Sequence, residues 1–361
     1  MWIKNTYIKK SIGLSFLLFF SCTSGHQKDE VIKFEKEYML KHKDYETELL
    51  ITYGRLTVID TFLVLVSNQR ESLCKVYSIP EGMKEVASYG RFGNGPKEFL
   101  QPLLTYSYNN TFGLNELNKQ ELAIMELVEE NGEVCITEQK RLKAPYQRKK
   151  GELNPSDYYF SKLDDSHYVS LLCAGKNRFF SLLDSSLTPI KQFGESPIAE
   201  ELPVIASRRR LRGSMTAENG TMVFAAADIP YLACYKLETN EMVKQWSFFY
   251  DQTFYEVRND DLLLSKEKSY GYLLDLQMDS RFIYILYLDQ LLSEYDSKLT
   301  EKSCANKVLV FDYKGNAVAK LHLDCRINGM AISKDRTKLF GLAQLPDPVF
   351  VVFDLPKELN K

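Results

Sequence analysis

Leu56-Thr57-Val58-Ile59-Asp60-Thr61-Phe62-Leu63-Val64-Leu65-Val66 reads as two apolar strands joined by a tight polar turn. The arrangement returns along the chain, with turns at Asn109-Asn110, Asp164-Asp165, Glu218-Asn219-Gly220, Asp279-Ser280 and Lys334-Asp335. Apolar or alternating runs flank each turn, from Tyr106 to Leu114, Tyr158 to Leu172, Met215 to Ala226, Tyr272 to Tyr287 and Met330 to Leu342. Alternation broken by Asp, Asn and Gly is the pattern of β-hairpins. Neighbouring turns recur at about fifty to sixty residues, the period of a propeller blade.

A second hairpin follows each of the first five, turning at Pro80-Glu81-Gly82, Glu130-Asn131-Gly132, Asp184-Ser185-Ser186, Glu238-Thr239-Asn240 and Tyr313-Lys314-Gly315. Four strands per repeat make a blade. The expected fold is therefore all-β, a six-bladed β-propeller with four-stranded blades. The sixth repeat runs out after its third strand, Pro348 to Phe353. Residues 31–40 are the expected fourth strand, with Ile32, Phe34, Tyr38 and Leu40 on one face and Lys33, Glu35 and Glu37 on the other. This N-terminal strand would close the ring and cover an exposed edge.

Ahead of the propeller (31–361), residues 1–21 read as a signal peptide: Lys4, Lys9 and Lys10 precede an apolar run, Ile12 to Phe20, too short to span a bilayer. The run ends in Phe19-Phe20-Ser21-Cys22, which resembles a bacterial lipobox in which Cys22 is lipidated and anchors the chain. Residues 22–30 read as a polar tether, in which Lys28-Asp29-Glu30 resembles the acidic surface-export signal of Bacteroidota lipoproteins. The implied address is the cell envelope, on the outer membrane, facing either the periplasm or the outside. A net charge of −2 gives no reason for attraction to nucleic acid.

Of the seven cysteines, Cys74, Cys135, Cys173 and Cys234 lie in apolar strands and read as small hydrophobes. Cys304 and Cys325 flank one hairpin turn, so a cross-strand disulfide is conceivable there, provided the register places them opposite each other.

Between the first and second repeats lies Tyr89-Gly90-Arg91-Phe92-Gly93-Asn94-Gly95-Pro96-Lys97-Glu98-Phe99. It resembles the G-R-x-G-x-G-P-x-E-F signature of the TolB-like six-bladed propeller lipoproteins of Bacteroidota. The resemblance covers the whole mature chain. It implies a propeller at the bacterial envelope and no particular chemistry. The glycines do not form a phosphate loop, because Pro96 follows the last of them and no Ser or Thr follows Lys97. They read as a structural turn.

In a propeller, first-to-second and third-to-fourth links lie on one face, and the remaining links lie on the other. The first set is tight here. The second holds all the long segments: Arg91 to Leu104, Arg141 to Ser156, Phe193 to Arg212, Tyr250 to Lys268 and Leu288 to Ser303. Long loops on a rigid scaffold are where binding is usually placed. Arg148 and Lys149 on one loop, and Arg208, Arg209, Arg210 and Arg212 on the next, form a candidate anion site. A run of loop charges is also what a solvated loop looks like. Tyr250, Phe254 and Tyr255, with Arg258, are candidate stacking and binding residues, although such aromatics also serve as packing between blades.

None of His26, His42, His167 and His322 has a second ligand at metal spacing, and no catalytic motif is present. No catalytic residue, metal or cofactor is assigned. The leading expectation is a monomeric, lipid-anchored binding or scaffold protein for an envelope protein, a peptide or an anionic glycan, bound on the long-loop face. The alternative is a propeller-type hydrolase or lyase acting on carbohydrate or a lactone, for which an axial funnel lined by two or more carboxylates would speak.

Overall fold

The computed structural model describes residues 32–45, 49, 54–67, 72–145, 158–172, 177–271, 273–295, 301–343 and 347–360. Six antiparallel sheets are arranged around one axis. The inner strands of blades one to six are Gly54–Ile59, Pro102–Tyr108, Tyr158–Lys162, Gly213–Glu218, Leu273–Met278 and Met330–Ile332. In blades one to five the next three strands pair outward, in sequence order, from these; in blade six the next two do. The all-β six-bladed propeller read from the sequence is the observed fold.

The inner hairpins turn in two ways. Asp60, Asn109 and Asn219 take left-handed backbone, with φ of 54°, 55° and 50°, a conformation Asn and Asp adopt more readily than other non-glycine residues. Asp164, Asp279 and Asp335 instead fold their carboxylates onto the backbone. Asp164 Oδ1 accepts from the N–H groups of Ser166 and His167, each at 2.8 Å. Asp279 Oδ1 accepts from Arg281 and Phe282 at 2.7 and 2.9 Å. These bonds mimic a backbone turn and leave no room for a longer loop.

The ring is closed by N-terminal chain, though with a different segment from residues 31–40. Strand β2 (His42–Tyr45) pairs antiparallel with Val349–Asp354 and is the outer strand of blade six. Strand β1 (Glu37–Leu40) lies parallel to Ala317–Ile327 as a fifth strand on blade five. The period-two apolar face of 31–40 is real, but it packs on blade five: Leu40 is buried, Tyr38 packs beside it, and the Phe34 ring meets Phe311 edge-on at 5.4 Å. The segment His42-Lys43-Asp44-Tyr45 carries little apolar pattern, because an outermost strand needs only backbone pairing. The two strands together cover the edges of two blades.

The glycine-rich link after blade one is structural, as expected. Glu98 folds back so that its Oε2 accepts from the Gly95 N–H at 2.8 Å. Lys119 donates to the carbonyls of Gly95 and Glu98 at 3.0 and 2.7 Å. A Cβ on Gly93 would lie 2.1 Å from Glu98 Oε2, so a larger residue there would have to displace the Glu98 carboxylate from its bond to Gly95. Phe99 is fully buried beneath this turn, with the Arg141 guanidinium 4.7 Å from its ring centroid.

Cys304 and Cys325 are free thiols. The register explains this: Ala305 pairs with Ile327, so Cys304 and Cys325 are not opposite each other. Cys173 lies outside the described residues.

Candidate functional site

Side chains on a strand alternate between faces. On the inner strands one of those faces lines the ring axis. Arg55 and Thr57, Ser107, then Ser214, Thr216 and Glu218, then Asp275 and Gln277 follow each other at every second position. Apart from Ser214, they line a cavity of about 600 Å³ whose walls come from the inner hairpins of all the blades except the third, which adds Tyr159. Its mouth is formed by the tight turns at Asp60, Asn109, Asn219, Ser280 and Lys334. This axial cavity therefore opens on the face with the short turns.

Arg55 and Asp275 sit near the entry ends of their strands and form the floor. Arg55 Nη1 donates to Asp275 Oδ1 at 3.1 Å, and Nη2 donates to Ser214 Oγ at 3.2 Å. Asp275 also accepts from the Leu276 and Met330 N–H groups at 2.9 and 3.0 Å. Burial pushes its carboxyl above the ordinary range, while Arg55 and the two N–H groups pull it back. Above the floor, Thr57 Oγ1 donates to Ser107 Oγ at 2.8 Å, and the Gln277 amide donates to the Leu56 carbonyl at 3.3 Å.

Four carboxylates line the cavity: Asp60, Glu218, Asp275 and Asp279. Asp275 is held by Arg55, and Asp279 holds its own turn and accepts from the Tyr284 hydroxyl at 3.0 Å. Glu218 is half-buried, and its carboxyl is raised by burial and by the charge of Asp279. Lys334 and Arg336 stand on the same rim, with Arg336 donating to Ser280 Oγ at 3.0 Å. The lining is thus polar and of mixed charge.

The described residues among those singled out on the long-loop face do not line this funnel. Cys22, Arg148 and Lys149 fall outside the described residues. Arg208 is in the short helix α1 (Val204–Arg210). Arg209 and Arg210, on the same helix, both bind Asp261, at 2.5 and 3.2 Å. They hold the Asp261 carboxyl down at about 2. Asp261 belongs to an extra hairpin, Tyr255–Arg258 with Asp261–Leu264, so the two arginines pin that hairpin to the helix. Arg212 is 3.4 Å from Asp228, and Arg258 is 3.7 Å from Glu256. Tyr250 is buried edge-on against Tyr287 at 5.4 Å, and Phe254 is half-buried.

Tyr255 does line a pocket. This second cavity, of about 320 Å³, lies between the links after blades three and four, with Tyr231, Lys244, Ser247, Phe249 and Thr253 in its walls. Lys244 is engaged by Glu195 at 2.7 Å. The sequence reading missed the axial residues. The signal was present as polar residues at alternate positions of strands otherwise apolar: Arg55-x-Thr57, Ser214-x-Thr216-x-Glu218 and Asp275-x-Gln277.

The family model for TolB-like 6-blade propellers matches residues 33–335. This chain belongs to the TolB-like six-bladed propeller family. Among solved structures, a Bacteroides fragilis protein described as exported aligns with a TM-score of 0.53 at 9% identity, over 89% of this chain and 99% of that one. U3-55K aligns with a TM-score of 0.47 at 9% identity, over 87% and 98%. The WD40 repeats of RRP9 give 0.47 at 8%, over 87% and 97%. None of the curated proteins matches the sequence. The TolB-like propeller fold supports a binding or scaffold role in general terms. No helix among the described residues is long and apolar enough to cross a membrane.

Proposed function

We propose that this TolB-like propeller is a lipid-anchored envelope binding protein that takes a hydroxyl-rich ligand of glycan type into its axial funnel. The observation that carries the reading is the convergence of short neutral polar side chains, Thr57, Ser107, Thr216, Asn219, Gln277 and Ser280, on one cavity of about 600 Å³. A cavity of that size is in the range that holds small ligands, and convergent polar groups fix their orientation. Ser, Thr, Asn and Gln supply donors and acceptors without the desolvation cost of charge. The address rests on the apolar run that ends at Ser21-Cys22 and on the polar residues after it. Binding of an envelope oligosaccharide fraction, followed by saturation-transfer NMR, tests the ligand class. Signals from sugar protons are expected, and a response to peptide alone would replace the glycan.

A ligand on the long-loop face would use the smaller cavity at Tyr255 instead. Tyr255→Ala distinguishes the two, since it leaves the funnel untouched.

The carboxylates lining the funnel are the feature expected of a hydrolase or lyase, and one of them stands out. Glu218 has a raised carboxyl with Asp279 nearby, the environment of a general acid. Glu218→Gln should then abolish turnover of a bound glycan while leaving its affinity within a few-fold. Bound glycan that is never cleaved by the native protein leaves the binding role alone.

A further inference from the structure

The strand that closes blade six carries a second cluster, far from the axial funnel in the fold. We propose that His42, Asp324 and Cys325 form a binding site for a zinc-like divalent cation that fastens the closing strand β2 to blade five. The three side chains offer a ring nitrogen, a carboxylate oxygen and a thiol sulfur, all within 4.8 Å of one another. Tetrahedral zinc with bonds of about 2.0–2.3 Å needs ligand atoms about 3.3–3.8 Å apart, so small rotations suffice.

The local backbone is what brings them together. Adjacent strand residues normally face opposite ways. Here Lys307 pairs with His322 and Ala305 pairs with Ile327, so the outer strand of blade five carries extra residues against its neighbour. This bulge lies at Asp324 and Cys325 and re-aims their side chains towards His42, as bulges beside sites do. His42 Nδ1 is 2.7 Å from Asp324 Oδ1, and the His42 N–H donates to the same oxygen at 3.0 Å. The other ring nitrogen, Nε2, is 3.4 Å from Asp44 Oδ1. A carboxylate on the far nitrogen fixes the ring orientation, the arrangement that supports a metal-binding histidine. Half-exposed Asp324 and partly buried Cys325 leave the fourth position open to water.

A nitrogen, oxygen and sulfur donor set suits zinc and cobalt(II), and disfavours magnesium and calcium. Coordination forms a metal–sulfur bond and breaks the S–H bond, releasing one proton to solvent. Cation binding is therefore weakened by acid. Because its ligands come from strands far apart in the chain, the cation would favour the closed ring over the open one.

Cobalt(II) titration of the full chain, purified with chelator, tests the site. One equivalent should produce the charge-transfer absorption of a cobalt–thiolate bond, and one equivalent of zinc should displace it and raise the melting temperature. The absorption should vanish in Cys325→Ser and His42→Ala and persist in Cys135→Ser. Both variants are first shown to melt cooperatively without metal. Absence of the thiolate band in the native chain, or its persistence in Cys325→Ser, overturns the proposal, as does zinc binding that leaves the melting temperature unchanged.

Discussion

The guanidinium of Arg55 on blade one donates to the carboxylate of Asp275 on blade five at 3.1 Å, joining two blades that are not neighbours. Ser214 of blade four accepts from the same guanidinium, and the Met330 N–H of blade six donates to the same carboxylate. Four blades thus share one polar contact at the floor of the funnel. The floor is buried, so its charges are strongly coupled to stability.

Arg55→Met should lower stability by about 3–5 kcal/mol, because it leaves a buried carboxylate without its counter-charge. The loss should depend on pH. Burial alone already raises Asp275, and loss of Arg55 raises it further above its unfolded value. A group with a raised folded value contributes stability at low pH and loses it as pH rises through that value. Arg55→Met should therefore be weaker at neutral pH than at an acidic pH nearer the ordinary carboxylate range, whereas Arg55→Met with Asp275→Leu should show little such dependence. Urea midpoints at the two pH values measure it. A penalty below about 1 kcal/mol at both would place the pair in solvent.

Closure by β1 and β2 is tested by truncation. A chain beginning at residue 37 loses Phe34 from the blade-five surface and should melt slightly lower. A chain beginning at residue 46 loses both strands, the burial of Leu40 and the contacts of His42 with Asp324 and of His322 with Glu37. Burial of one leucine is worth about 1.5–3 kcal/mol as an upper value. With the lost pairing, the cost should reach several kcal/mol, a large share of a domain's ~5–15. Equal melting temperatures for the two truncations would mean that the ring does not need these strands.

The arginine clamp on Asp261 sets a different pH dependence. Two guanidiniums depress Asp261 to about 2, against an ordinary 3.8. A depressed folded value contributes docking above about pH 4 and loses it as pH falls towards 2. Hydrogen exchange of the Tyr255–Leu264 hairpin should accelerate across that window before the blades open. Asp261→Lys should produce the same loosening at neutral pH with a change in global stability of about 1 kcal/mol or less, as expected for surface pairs. Unchanged exchange in that variant would show that the hairpin is held by its apolar contacts alone.

The architecture was legible because tight turns and alternation are local. Asp60, Asn109 and Asn219 announce left-handed turns, and Gly93 and Pro96 rule out a phosphate loop by their order. The closing strand was misplaced because Ile32, Phe34, Tyr38 and Leu40 carry the stronger pattern, while His42-Lys43-Asp44-Tyr45 is held by backbone pairing that side chains do not advertise. The funnel was missed for a related reason. Residues Arg55, Ser214, Asp275 and Met330 are far apart in the chain, and only ring closure makes them neighbours. Arg209 and Arg210 were visible as charges, but their partner Asp261 lies on a hairpin that the repeat pattern did not separate from a long loop.

The lipid anchor has its own test. Cys22→Ala should release the protein from the membrane fraction or leave the precursor unprocessed. Continued partition of that variant into detergent would remove the anchor.

The most direct measurement of the central claim is the affinity of a captured envelope oligosaccharide for three proteins: native, Thr216→Trp and Tyr255→Ala. Thr216 lines the half-open wall of the funnel, so a tryptophan there fills the cavity without entering the blade core. The funnel account predicts that Thr216→Trp loses binding by at least about a hundredfold, or ~2.7 kcal/mol, while Tyr255→Ala binds as the native chain does. Retained binding in Thr216→Trp together with loss in Tyr255→Ala would contradict it and place the ligand on the long-loop face.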